Sequence, residues 1–327
     1  MKKIINKPND VVSEMLMGMV KANPKLVYFK DLEVIASRVK EKKVGLVSGG
    51  GSGHEPAHAG YVGKGMLDAA VSGNVFASPS PDRVLKGIQE ANTGEGVLLI
   101  IKNYSGDIMN FGMAKDLAEM EGIRVEAVVV KDDVAVKDST YSTGRRGIAG
   151  TVFVHKVAGA KAAAGGSLDE VKRVAEKTIA NVRSMGMAMT PCILPGVGKA
   201  GFTLGENEIE IGMGIHGEPG VERTCVKTAA QLAEILCGKI LADYDFAGSE
   251  CAVMINGLGA TPLMELYILN NEVEKILKEN NIKIYRTFVG NYMTSLEMAG
   301  CSVTLLKLDE ELKELLDAPC DTPALKV

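Results

Sequence analysis

The chain has 327 residues, of which 46% are hydrophobic and 24% charged, with a formal net charge of −4. That length suggests about two domains and can bury roughly three-quarters of its unfolded surface, and its hydrophobicity excludes disorder as the dominant state. The slight negative charge argues against a general nucleic-acid binder, which needs a basic face, and with no Trp and only 5% aromatics there are few platforms for stacking single strands.

The opening MKKIINKPNDVV lacks the apolar core of a signal peptide. The longest apolar runs, such as VLLII at 97–101, fall far short of the roughly 20 residues that cross a bilayer. The expected protein is soluble and intracellular, with no membrane contact. The six cysteines contain no CxxC pair and all follow residue 191. They are expected to be buried free thiols rather than a disulfide framework or zinc knuckle. The 16 methionines are read as core filler.

Short apolar runs end in glycines or turns at KKVGLVS (42–48), EGVLLIIK (95–102) and RVEAVVV (124–130). Continuous apolar runs of this length, separated by helices, read as central strands of a mainly parallel sheet. SLDE at 167–170 is a capping-box pattern that opens a helix running to about residue 184. MGMAMTPCILPGVGKAG then reads as a linker or domain crossing. Alternation resumes with EIEIGMGIHGEPG as a strand into a glycine loop, TAAQLAEILCGKILADYD as a helix, and CAVMINGLG as a strand. A helix follows Pro262, and IKIYRTFVG and CSVTLLKL are two further strands. The expected fold is two α/β domains, 1–185 and 186–327, each on a largely parallel or mixed sheet with flanking helices.

Ligands of open α/β sheets sit at the carboxyl ends of strands. Three loops meet that rule: 49–55, 102–107 and 212–220. In the first, Ser48 to Pro56 reads as strand, glycine loop and helix N-terminus, a place where backbone N–H groups gather on an oxyanion or hydroxyl. His54 to His58 formally matches HExxH, but Pro56 and the glycines put His54 before the helix, against a zinc site. His58 reads as a packing or surface histidine. Asp107 lies near a helix N-terminus, either as its cap or as a carboxylate that takes a proton from a substrate hydroxyl. Lys102 is either a solvated charge or a grip on a polar substrate or phosphate.

GMGIHG at 212–217 matches G-x-G-x-x-G, but EPG continues it as loop rather than helix, against a dinucleotide site. His216 is the lone histidine of the second half. Its small neighbours leave the imidazole accessible, as a loop residue or as a nucleophile or acid/base group. Arg145 and Arg146 read as salt-bridge or partner contacts, with anion binding as the other option. NGLGATP at 256–262 reads as a structural corner.

Taken together, SGGGSGHEP, IIKNYSGD, DDVAVKDSTYSTGRRG, GIHGEPG, NGLGATPLMELY and DAPCDTPAL make the chain resemble the dihydroxyacetone kinase K-subunit family over nearly its whole length. The resemblance implies a cytoplasmic homodimer of two-domain α/β subunits that binds dihydroxyacetone covalently. An imidazole nitrogen adds to the ketone carbon to give a hemiaminal, and His216 matches that residue. Glycerol, with no carbonyl, would be refused. His54 matches the second active-site histidine, an acid/base and orienting group, and Asp107 matches the carboxylate on the reacting hydroxyl, the expected general base. Gly51, Ser52, Gly53 and Lys102 match positions that line the pocket. The resemblance places ADP or ATP with Mg on a separate L subunit, with no cofactor or metal on this chain. Because the chain stops after the K region, no fused L domain is expected. The implied reaction is phosphoenolpyruvate-dependent, with a phosphotransferase-system M subunit recharging L. The family also implies two alternatives: a dihydroxyacetone-sensing transcriptional co-activator, and a kinase subunit for a related short ketose.

Overall fold

The computed structural model describes residues 2–137 and 144–327. The first half carries helix α1 (Val11–Ala22), strands β1 (Leu26–Phe29), β2 (Val34–Ser37), β3 (Gly45–Ser52) and β4 (Ala69–Val75), then α2 (Pro81–Ala91), β5 (Val97–Lys102), α3 (Ser105–Met120) and β6 (Val125–Val130). Helices α4 (Thr151–Ala163) and α5 (Leu168–Asn181) follow. The second half carries β7 (Val182–Ala188), β8 (Glu208–Ile211), β9 (Glu222–Cys225), α6 (Ala229–Asp243), β10 (Glu250–Gly257), α7 (Leu263–Glu279), β11 (Lys283–Gly290), β12 (Gly300–Leu308) and α8 (Glu310–Asp317).

These strands form two mixed six-stranded sheets, in the orders β1-β2-β4-β3-β5-β6 and β11-β10-β12-β7-β8-β9. In the first sheet β4, β3, β5 and β6 are parallel. Successive residues of each central strand face opposite ways, and both faces are covered. Val97, Leu99 and Ile101 pack with Phe111 and Ala114 of α3, while Leu98 and Ile100 pack with Val152 and Val157 of α4. The second sheet repeats this arrangement. Cys251, Val253 and Ile255 face α6 and α7, while Ala252 and Met254 belong to the same cluster as α4. The layer holding α4 and α5 is therefore shared by both sheets. This two-sided burial explains why the central strands read as unbroken apolar runs.

Several sequence expectations need correction. The glycine run 49–52 is part of β3, not a loop beyond it. Gly49 pairs with Val71 and Gly51 with Gly73 of β4. A Cβ at Gly49 would collide with the Val71 carbonyl oxygen, so the missing side chain serves strand pairing. No α-helix opens at Pro56; a 3₁₀ turn, Ala59–Tyr61, follows instead. The capping box of α5 is present, with Ser167 and Glu170 each accepting from the other's backbone, but the helix ends at Asn181. Residues 182–188 are strand β7, between β12 and β8, so the start of the supposed linker is sheet interior, and a division at 185/186 falls within that strand. Five of the cysteines are buried, while Cys225, on strand β9, is exposed. No described helix is long and apolar enough to cross a membrane.

Candidate active site

Strand β3 lies between β4 and β5, so the chain leaves it toward one neighbour and later enters the other. Such a switch point opens a crevice at the carboxyl ends of the strands. His54 follows β3, Lys102 ends β5 and Asp107 lies in the first turn of α3. The loop after β8 brings His216 to the same place. The His54 and His216 ring centroids are 4.7 Å apart, and that of Tyr104 is 4.6 Å from His216. Phe76 stacks on His54 at 5.1 Å and meets the edge of His216 at 5.3 Å.

His54 is fully buried. Its Nδ1 lies 2.7 Å from the Thr294 carbonyl oxygen, which makes Nδ1–H the donor. Its Nε2 has no protein hydrogen-bond partner. Burial, followed by the neighbouring His216 and Lys102, holds this imidazole well below its ordinary pKa, and the Thr294 bond offsets only part of that. His54 is thus a neutral ring whose bare Nε2 is open to accept a hydrogen bond. The same loop is laced onto the end of β3: Thr294 N donates to His54 O at 3.2 Å, Leu296 N to Gly53 O at 2.7 Å, and Thr294 Oγ1 to Glu55 O at 2.8 Å.

Lys102 and Asp107 are buried together, with Nζ 3.7 Å from Oδ2. That is a charge contact longer than a hydrogen bond, and Lys102 Nζ and Asp107 Oδ1 lack hydrogen-bond partners. A Cβ at Gly50 would lie 2.8 Å from Lys102 Nζ, so the glycine leaves space for the ammonium. Asp107 is not the helix cap, because the N-cap is Tyr104 and it makes no side-chain capping bond. Beside the Lys102 contact at Oδ2, its Oδ1 has no hydrogen-bond partner and is left for other work. Lys102 is not a solvated charge.

The pocket residues expected from the glycine run are placed less directly. Ser52 Oγ donates to Gly73 O at 2.8 Å. Gly53 adopts φ +108° beside the Phe76 ring, and Gly51 lies within the β3–β4 ladder. His58 does not join His54. It pairs instead with His155 of α4, Nδ1 to Nε2 at 3.0 Å, and approaches Ser48 Oγ at 3.2 Å. Among the described residues no group of three or more His, Cys, Asp or Glu side chains could hold a metal ion.

Arg145 and Arg183 both bind Asp243, while Arg146 binds Asp133 and the Gly212 carbonyl. These arginines therefore tie the loops in place. Residues 138–143 of the DDVAVKDSTYSTGRRG motif lie outside the described residues. Asn256 ties its corner by accepting from Tyr292 N and Met293 N. The sequence reading passed over Glu218, Tyr104, Phe76 and Thr294. Glu218 had a signal, two residues after His216 in GIHGEPG. Thr294 had none, since its role is a carbonyl oxygen supplied from 240 residues away.

Fold and site together define a two-sheet α/β protein with an imidazole pair and a buried lysine–aspartate pair at a strand-end crevice. The Dak1 domain model matches residues 17–324, and the chain belongs to that family. It is 55% identical, over 99% of its own length and all of the relative's, to the PTS-dependent dihydroxyacetone kinase 1, dihydroxyacetone-binding subunit DhaK, of Listeria innocua. The native structure of the dihydroxyacetone kinase of C. freundii superposes with TM-score 0.92 at 38% identity, covering 99% of this chain and 60% of that one. A dihydroxyacetone kinase operon co-activator, Dha-DhaQ, superposes with TM-score 0.90 at 38% identity, covering 95% of this chain and 97% of that one.

Proposed function

We propose that this chain is the dihydroxyacetone-binding subunit of a phosphotransferase-system-dependent dihydroxyacetone kinase working in the cytoplasm, and that it divides into two domains just ahead of Val182. The observation that carries the function is the meeting of His216, His54 and the Lys102–Asp107 pair in one crevice. The full-length likeness to the Listeria subunit supports the substrate.

In this reading an imidazole nitrogen of His216 adds to the ketone carbon and holds the substrate as a hemiaminal. A reversible covalent bond orients a molecule too small to be gripped well by hydrogen bonds alone. Asp107 takes the proton of the hydroxyl that is phosphorylated, Lys102 holds the neighbouring charge, and neutral His54 accepts and orients a second hydroxyl. Gly51, Ser52 and Gly53 shape the wall beside Phe76. The phosphoryl group arrives in line from ADP/ATP and Mg on a separate L subunit, itself recharged from phosphoenolpyruvate through an M subunit. The chain acts as a homodimer.

The test combines the purified chain with its L and M partners, phosphoenolpyruvate and dihydroxyacetone. Dihydroxyacetone phosphate should form only when the chain is present, and Asp107→Asn should lower turnover by roughly 10²–10⁴-fold. In intact-mass spectra the wild type should carry one added dihydroxyacetone and His216→Ala none. Adduct without turnover would move the assignment to a ketone-sensing co-activator, the reading favoured by the Dha-DhaQ likeness.

A further inference from the structure

Glu218 takes no part in the chemistry proposed so far, yet it makes the closest polar contacts of His216. Its Oε1 lies 2.9 Å from His216 Nδ1, and its Oε2 accepts from the His216 backbone N–H at 2.9 Å. The loop is built to allow this double grip. Gly217 takes φ +84°, and its N–H donates to Gly214 O at 3.1 Å. The Gly214 N–H donates to Glu218 O at 3.0 Å, which turns Glu218 back over His216. A Cβ at Gly214 would collide with Glu218 Oε2. Burial alone would raise the Glu218 carboxyl, but the His216 bonds outweigh it and hold the group at about 2. At neutral pH Glu218 is therefore an anion that can only accept, so Nδ1 must be the protonated nitrogen.

We propose that Glu218 is a positioning residue that locks His216 in its Nδ1–H tautomer and so makes Nε2 the atom that attacks the ketone. This rests on the covalent reading above. The Nε2 lone pair forms the C–N bond while the C=O π pair moves to oxygen. The positive charge that develops on the ring is met by the Glu218 carboxylate, to which Nδ1–H goes on donating. Water protonates the new alkoxide, and the hydroxide left behind goes to solvent. Neutral imidazole, neutral ketone and water thus give a hemiaminal imidazolium paired with the Glu218 anion, plus hydroxide, and the reverse path releases the substrate. A hydrogen-bonded partner that fixes the tautomer is the usual way to choose between two ring nitrogens. Reversibility requires the same carboxylate to hold the ring in both directions.

The test has two parts. Nitrogen-15 spectra of histidine-labelled, ligand-free wild type should show His216 protonated at Nδ1 and bare at Nε2. The adduct midpoint should then be measured by titrating carbon-13-labelled dihydroxyacetone. Glu218→Ala should mix the tautomers and weaken the adduct at least tenfold, and Gly214→Ala, which displaces the carboxylate without removing it, should act in the same direction. Glu218→Gln keeps an acceptor oxygen and should retain the tautomer with an intermediate midpoint. A wild-type spectrum protonated at Nε2, or Glu218→Ala with a wild-type midpoint, overturns the proposal. If Glu218→Ala does not fold, the wild-type spectrum and the Glu218→Gln midpoint still decide it. A wild type that shows the Nδ1–H tautomer but forms no adduct overturns the covalent reading instead.

Discussion

His155 sits in the interior helix α4 with its Nε2 3.0 Å from His58 Nδ1, and both rings are buried. Burial first, and Lys102 second, lower the His155 pKa from 6.5 to about 3. Between those values the unfolded chain binds a proton that the folded chain refuses. Stability must therefore fall as pH drops below 6.5, by about 1.4 kcal/mol for each unit per such group. His54 and His58 act in the same direction. Asp133, pushed up to about 6 by burial against the pull of Arg146, opposes them over part of the range. A difference measurement isolates His155. In urea unfolding, His155→Gln should lose about 2 kcal/mol less stability than wild type between pH 7 and pH 5. Equal losses would show that the ring is not held neutral. At this scale the sequence named His54, His216, Lys102 and Asp107, because glycine loops at strand ends flag themselves. It gave no sign of the His58–His155 pair, which exists only because α4 packs across β3 and β5.

Strand β3 shows how element boundaries depend on partners. Its glycines have no strand propensity to read, yet they pair in parallel with β4 because the two backbones approach too closely for a side chain at Gly49. Gly49→Ala should cost about 1–3 kcal/mol, the usual penalty for overpacking, read as a lower urea midpoint. Unchanged stability would mean that the close approach is not required. Helix α4 escaped notice for a related reason. It is buried almost all round, with Val152, Val154, Val157 and Ala158 on different faces, so its sequence carries no amphipathic period. Strand β7 was hidden by its Gly and Met content. The apolar strands β5, β6 and β10 were legible because both of their faces are covered.

On the scale of the whole molecule, the α4 and α5 layer serves two sheets at once. Leu98 and Ile100 of the first sheet and Ala252, Met254 and Leu306 of the second belong to one buried cluster. The α8 side chains Leu312, Leu315 and Leu316 belong to it too, although α8 follows the last strand. Neither half can be removed without exposing the other's core. Thermal unfolding should therefore be a single transition with equal calorimetric and van't Hoff enthalpies. Two resolved transitions would show that the sheets fold independently. Little of this was legible beforehand, because a composition shift marks a change along the chain and not which surfaces are shared.

The lacing of Thr294 and Leu296 onto Gly53 and His54 has a consequence for the chain as it is made. His54 leaves the ribosome some 240 residues before the carbonyl that orients its ring. Until that stretch emerges, the nascent polypeptide has His54 but not the carbonyl that turns its ring, so this part of the crevice can be set only after nearly the whole chain is made.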